Sequence, residues 1–166
     1  MDTITSTTGT ATSNMPTSDM PTRVVPMMSA PMASTVLDLL DRAREGLLRA
    51  CHSPTPAERY TQAHLAALRA ASALIAARTA PARRSRPRSV WEVLPTVAPE
   101  LTEWAVFYAS SGRRRLAVER GSQSVSCRDA DDLVRQGEHF LEVVRAALHL
   151  PVAEPIPAGL AAVSVR

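Results

Sequence analysis

Lysine is absent from this chain of 166 residues, and it has few cysteines and no long apolar run. All 19 basic residues are arginine, a bias typical of GC-rich genomes, so the choice of arginine carries no functional signal. No apolar run approaches the roughly 20 residues that a membrane-spanning helix needs, which excludes an integral membrane protein. Cys51 and Cys127 form no Cys-x-x-Cys pair, which argues against a disulfide framework and a structural zinc site.

Aromatic residues make up only 4% of the chain, and there are six glycines. The core should therefore be built from Leu, Val and Ala, and the composition favours helices over a β-sandwich or barrel. No Gly-rich phosphate loop or Gly-x-Ser-x-Gly elbow is present, so the sequence predicts neither a cofactor nor a metal. The start, MDTITSTTGT, lacks the basic and apolar stretches of a secretory signal. We therefore expect a cytoplasmic protein with reduced thiols.

Composition divides the chain into three parts. Residues 1–34 are rich in Ser, Thr, Met and Pro, so they bury too little apolar surface to offset the entropy of ordering, and we expect a disordered tail. Residues 35–150 carry the apolar periodicity of a folded domain. Residues 151–166 hold three prolines in their first seven positions and are predicted to form a flexible C-terminal tail.

Two long helices are predicted in the first half of the domain. In the first, from about Thr35 to His52, apolar positions step by three or four residues after an N-cap at Ser34 or Thr35. The second, from about residue 57 to 79, is Ala-rich on nearly all sides, which is typical of a central helix.

The sequence of the second half of the domain predicts one short helix and two long ones. The short helix covers 89–94, and a third long helix covers 99–110 and resumes beyond Gly112 to about residue 120. The last long helix begins with the capping box of Ser126 and Asp129 and ends at residue 150. Short connections between long amphipathic helices predict an all-α, up-down antiparallel bundle of four to five helices.

Two Arg/His pairs are candidates for chemistry, because an Arg that binds phosphate beside a His that moves a proton is what metal-free RNA cleavage requires. Arg135 and His139 are four steps apart and share a helix face. Arg59 and His64 are five steps apart, which places them about 140° apart around a regular helix. The alternative is that all four residues are structural. Each arginine would then form an ion pair, and His64 would pack against a neighbouring helix.

Clustered arginines are the second candidate signal, because they are typical of surfaces that bind phosphate or nucleic acid. One cluster lies in the Pro-rich connector and comprises Arg83, Arg84, Arg86 and Arg88. The other comprises Arg113, Arg114 and Arg115. No aromatic residues are interleaved with them for base stacking, so a solvated surface is the competing interpretation.

Three sequence segments resemble those of a known family: ERYTQAHLAALRAASALIAAR, VWEVLPTVAPELTEWAVFYASSGRRR and CRDADDLVRQGEHFLEVVRAAL. With the helix order, they make residues 35–150 resemble HEPN domains (small all-helical "higher eukaryotes and prokaryotes nucleotide-binding" domains), in particular an actinobacterial subfamily. The resemblance implies a bundle of four to five helices and frequent homodimerisation. It also implies roles in RNA cleavage, in nucleotide binding or as partner of a nucleotidyltransferase.

The resemblance does not extend to the ribonuclease motif, an Arg and a His of the last helix separated by four to six residues. Arg135 and His139 are one residue short of that spacing, and Arg59 and His64 have the spacing but lie in the second helix. We therefore expect a non-catalytic module that binds a nucleotide, RNA or a protein. The alternatives are a metal-independent endoribonuclease with Arg135 and His139 at a dimer interface, and a structural or stress-linked adaptor that docks through its N-terminal tail.

Overall fold

The computed structural model describes residues 30–79 and 88–152, and this part of the chain contains helices and no β-strand. In chain order the elements are α1 (Ala30–His52), α2 (Pro56–Arg78), α3 (Val90–Val97), a 3-10 turn (Pro99–Leu101), α4 (Thr102–Glu119) and α5 (Cys127–Ala147). Helix α2 contacts all four other helices and therefore lies at the centre of the bundle. The predicted all-α, up-down antiparallel bundle is confirmed. Within these two ranges no helix is both long and apolar enough to cross a membrane.

Local sequence signals fix most helix ends. The hydroxyl of Thr55 accepts a hydrogen bond of 3.2 Å from the backbone N–H of Glu58, and Pro56 opens α2 where no N–H donor is needed. The predicted capping box at the start of α5 is confirmed, since Ser126 Oγ accepts from the N–H of Asp129 at 3.1 Å.

The predicted N-cap of the first helix is wrong. Helix α1 already includes residues 30–34, and the hydroxyls of Ser34 and Thr35 both donate to the Pro31 carbonyl at 2.9 Å, a bond made inside a helix. Composition alone assigned these residues to the tail. The rest of the two predicted tails, residues 1–29 and 153–166, lies outside the described residues.

Two predicted interruptions are also wrong. Helix α4 continues through Gly112 without a break. The glycine is required for space rather than as a helix end, because a Cβ there would lie 3.2 Å from Cε1 of His64 on α2. Helix α3 passes the predicted end at residue 94 and includes Pro95, and the N–H of Ala98 closes its last turn by donating to the Leu94 carbonyl at 2.8 Å.

Small residues bring α1 and α2 together. The buried face of α2 is largely alanine: Ala63, Ala66, Ala67, Ala70, Ala71 and Ala73 are each at most 1% exposed. Gly46 of α1 lies against this face, where a Cβ would be 3.1 Å from the Cβ of Ala66. The alanines therefore set the distance between the two helices, and Leu40 and Leu47 fill the remaining space.

The other half of the core contradicts the expectation of a core built from Leu, Val and Ala alone. Rings from α3, α4 and α5 form one aromatic cluster: Trp91, Trp104, Phe107, Tyr108 and Phe140. Tyr108 and Phe140 are the largest fully buried side chains, and their ring centroids lie 5.1 Å apart. The few aromatic residues of the sequence are thus concentrated where α4 packs on the bundle.

Candidate functional site

His64 of the second helix is a buried residue with a hydrogen-bond partner. It is 2% exposed, and its Nδ1 lies 3.1 Å from Oγ of Ser111 on α4. The rings of Trp91 and Tyr108 lie on it, with centroids 5.9 and 6.1 Å away. Burial, together with the positive charge of Arg115, lowers the pKa of His64 to about 4. The imidazole is therefore neutral at pH 7.

Arg59, the other member of this pair, lies elsewhere. Its guanidinium donates to Asp131 of α5 at 2.5 Å and to the carbonyl of Ser53 at 3.3 Å. Because α2 is a regular helix, Arg59 faces the start of α5 while His64 faces α4. The structure does not bring these two predicted site residues together.

The second Arg/His pair lies on the surface of α5. Arg135 and His139 are both exposed, one helical turn apart, and Arg135 donates to Asp132 on the preceding turn. The ring of His139 lies 5.5 Å from that of Trp104 on α4. This face of α5 is therefore accessible to solvent, although His139 also contacts the bundle through Trp104.

The three consecutive arginines of α4 have three different environments. Arg114 donates to Asp129 at 2.7 Å and lies over the ring of Tyr60, 5.6 Å from its centroid. Arg115 donates to Glu119 at 2.5 Å. Arg113 is exposed and pairs with no carboxylate among the described residues. Of the connector arginines, Arg88 is exposed, and Arg83, Arg84 and Arg86 lie outside the described residues.

A groove separates α4 from the first half of α5, and we call it the α4–α5 groove. Its volume is about 410 Å³, and its lining combines apolar walls with polar groups: Tyr60, Phe107, Ser110, Ser111, Arg114, Asp129, Asp132, Leu133 and Gln136. A more open depression of about 750 Å³ adjoins it, shares Ser110 and Arg114 with it, and is also lined by Arg113, Ser122, Gln123 and Ser124. The two together form one continuous surface feature along α4.

Most groove residues were missed by sequence reasoning. Phe107 is an aromatic residue that remains 42% exposed, and Ser110 and Gln136 make no side-chain hydrogen bond among the described residues. The small and polar residues of α4 carry a weak signal, because Ser110, Ser111 and Gly112 lie within four residues of the aromatic Tyr108. Their meaning depends on α5 lying opposite, which the sequence does not show.

A family comparison adds to this geometry. Residues 50–145, more than half of the chain, match the SAV_6107-like HEPN family. This chain belongs to the HEPN family. Comparisons with curated proteins and with solved structures found no match.

The match covers α2 to α5 almost completely, and hence both walls of the α4–α5 groove. The last HEPN helix carries Arg135 and His139 with the shorter spacing noted above. No cluster of three or more His, Cys, Asp or Glu side chains suited to a metal ion occurs in the described ranges. A homodimer and a nucleotidyltransferase partner stay predictions for this HEPN chain.

Proposed function

We propose that this HEPN chain is a non-catalytic binding module that holds a nucleotide, free or within single-stranded RNA, in the α4–α5 groove. The observation that carries the proposal is that an aromatic-walled groove adjoins an open depression containing Arg113, which pairs with no carboxylate in the part of the chain that the structure describes. The first part suits a base and the second suits a phosphate.

The groove offers a base both a stacking surface and an edge partner. Phe107 exposes 42% of its surface beside the groove, and flat rings of single-stranded nucleic acids stack on such side chains. The amide of Gln136 and the hydroxyl of Ser110 have no competing partner in the described structure, so both can hydrogen-bond a base edge. A volume of about 410 Å³ is within the range of small-molecule sites.

The adjoining depression offers a phosphate one cation and several hydroxyl groups. Arg113 is the arginine of the 113–115 cluster whose charge is not neutralised by a carboxylate among the described residues, and Ser110 and Ser124 lie in the same depression. The hydroxyl of Ser122 already donates to the Ala117 carbonyl at 2.9 Å. Guanidinium groups form strong charge-assisted hydrogen bonds with phosphate oxygens. The geometry therefore supports a nucleotide whose phosphate points toward the loop after α4.

Binding without cleavage is favoured by the state of His64. This histidine is neutral, fully enclosed and bonded to Ser111, so it has neither access to a phosphodiester nor a pKa near neutrality. Arg59 is held by Asp131 on a different face.

Titration calorimetry with the four nucleoside monophosphates and a short single-stranded RNA tests the proposal. Phe107→Ala should weaken binding roughly 5- to 150-fold, since stacking on one base contributes about 1–3 kcal/mol. Arg113→Ala should weaken binding and lower the salt dependence by about one unit of slope. Matched controls are Val106→Ala and Arg120→Ala, which remove exposed neighbours that do not line the groove. Equal binding by all four variants, or none by the wild type, would contradict the proposal.

A second candidate function, metal-independent RNA cleavage, is supported by the open face of α5. Arg135 and His139 are exposed one turn apart, and Gln136 between them lines the groove. A metal-free cleavage assay of the wild type, Arg135→Ala and His139→Ala decides between the two functions, with His52→Ala as the control for an exposed histidine elsewhere. Cleavage that is lost in His139→Ala but kept in His52→Ala establishes a ribonuclease. RNA binding without cleavage supports the binding module.

The adaptor alternative rests on the N-terminal tail, most of which lies outside the described residues. It stays a prediction that deleting residues 1–34 abolishes capture of a protein partner and leaves the fold unchanged, as measured by circular dichroism.

A further inference from the structure

An arginine on the far side of the bundle from α4 has a buried nitrogen without a partner. Nη1 of Arg69 on α2 is inaccessible to solvent and has no hydrogen-bond acceptor in residues 30–79 and 88–152. It lies 3.1 Å from the position that a Cβ of Gly46 on α1 would occupy. Gly46 thus leaves the space in which the guanidinium rests on α1. Buried donors without an acceptor are uncommon in native proteins. Because α1 covers Nη1, an anion can reach Arg69 only through the rest of this half-buried side chain.

Two further arginines flank this position. Arg42 and Arg49 lie one turn before and one turn after Gly46 on α1, and therefore on the same face of the helix. Burial, and then the positive charges of Arg49 and Arg42, lower the pKa of Arg69, whereas the charge of Glu45 raises it. The three guanidinium groups are thus close enough to act on one another.

The carboxylates beside these arginines are weak competitors. Arg42 pairs with Asp38 at 2.9 Å and Arg49 pairs with Glu45 at 3.6 Å, and all four side chains are at least half exposed. Such surface pairs within one helix contribute little and are screened by salt. An incoming anion can therefore replace them without a large penalty.

We propose that Arg69, together with Arg42 and Arg49, forms a binding site for a phosphate group. A doubly charged oxyanion accepts hydrogen bonds from the accessible part of the Arg69 guanidinium and interacts favourably with both flanking cations, and guanidinium groups match the geometry of phosphate oxygens. The site is separate from the α4–α5 groove, because no residue of α1 lines that groove. The proposal is therefore independent of the proposed function.

The test uses the full chain carrying Phe107→Ala and Arg113→Ala, so that binding in the α4–α5 groove does not contribute. Titration calorimetry with inorganic pyrophosphate, at constant ionic strength set with chloride, should give saturable binding. Arg69→Met in this background should weaken it roughly tenfold or more, while Arg120→Met should leave it unchanged. Methionine keeps an unbranched, helix-favouring side chain on α2.

A backbone NMR titration keeps the proposal testable if Arg69→Met fails to fold. Pyrophosphate should shift the amide signals of Gly46 and Arg69 more than those of α5. A parallel titration with short single-stranded RNA identifies the source of the phosphate: shifts at Gly46 with both ligands indicate a nucleic-acid backbone site, and shifts with pyrophosphate alone indicate free phosphates. No binding at about 10 mM pyrophosphate, or equal binding by Arg69→Met, would overturn the proposal.

Discussion

Helices α1 and α4 pack on the same central helix in opposite ways. The face of α2 that packs on α1 consists of alanines. Helix α1 approaches it so closely that a Cβ on Gly46 would crowd the Cβ of Ala66. Against α4, the space is filled by large rings, with Tyr108 stacked on Trp91 at 5.0 Å and on Trp104 at 6.0 Å. Helix α1 contains no aromatic residue, whereas α4 contains three.

This difference explains where a groove can form. Alanines and glycines let helices approach until backbones nearly touch, and such interfaces contain no groove. Rings hold α4 at a distance from α5, and the part of that space which the rings do not fill is the α4–α5 groove. The aromatic residues are few, but all of them lie on one side of α2 or on α2 itself. Composition alone therefore does not show how much of the core they form.

The largest expected effect is the loss of a central ring. Tyr108→Ala should lower the free energy of unfolding by about 3–5 kcal/mol, because Tyr108 is fully buried among five other rings. Urea unfolding followed by circular dichroism measures it.

Two further variants make this prediction specific. Tyr108→Phe should cost little or stabilise the protein, since its hydroxyl is buried with no hydrogen-bond partner within residues 30–79 and 88–152. Phe107→Ala should cost much less than Tyr108→Ala, because Phe107 is 42% exposed. Equal losses for Phe107→Ala and Tyr108→Ala would contradict the assignment of the aromatic core.

The aromatic side should also make stability depend on pH. In the unfolded chain His64 binds a proton below its ordinary pKa of 6.5, whereas in the folded state it does so only below about 4. Stability is therefore complete above pH 6.5 and falls as the pH drops toward 4, with a loss of about 3 kcal/mol from this group.

Unfolding curves at intervals between pH 4 and 7 measure this dependence. The control is His64→Gln, which does not titrate and can still hydrogen-bond Ser111. Subtracting its curve from that of the wild type removes the contribution of the carboxylates. Parallel curves for the two proteins would show that His64 is not the group that titrates.

A smaller loss is expected on the alanine side. Gly46→Leu should destabilise the protein by about 1–3 kcal/mol, because its side chain would overlap the Cβ of Ala66 and force α1 away from α2. Gly121→Leu is not a matched control because Gly121 has a φ of 71°, so an exposed helical position such as Ser110→Leu serves instead. Thermal unfolding should separate the two variants; similar melting temperatures would show that α1 and α2 can adjust.

The smallest expected effect is at the C-terminal end of α5, outside the packing of α1 and of α4 on α2. His149 follows α5 with a φ of 57°, while the N–H of Leu150 donates to the Arg145 carbonyl at 3.0 Å, a helix ending that favours glycine. His149→Gly should therefore stabilise the protein by about 0.5–1 kcal/mol. His149→Ala is the control and should show no such gain. A loss of stability in His149→Gly would mean that the imidazole itself contributes.

Sequence reasoning was accurate where the signal was local. The capping box of Ser126 and Asp129 and the end of the first helix at His52 depend on residues a few positions apart. Sequence reasoning is wrong where a residue's role depends on another helix: the sequence predicts a break at Gly112, but the neighbour that requires this glycine is His64, 48 positions earlier in the chain. The same reason explains why Phe107 and Gln136 were not predicted as site residues.

By itself, the sequence determined an all-α bundle, the order of its helices and its membership of the HEPN family. Apolar periodicity, helix caps and family-specific segments can all be recognised from residues that are near one another in the chain. The tertiary structure alone decided that His64 is enclosed beside Ser111, that Arg113, Arg114 and Arg115 have different environments, and that a groove lies between α4 and α5. These features depend on which side chains face one another across two helices and on how far the rings between them hold the helices apart.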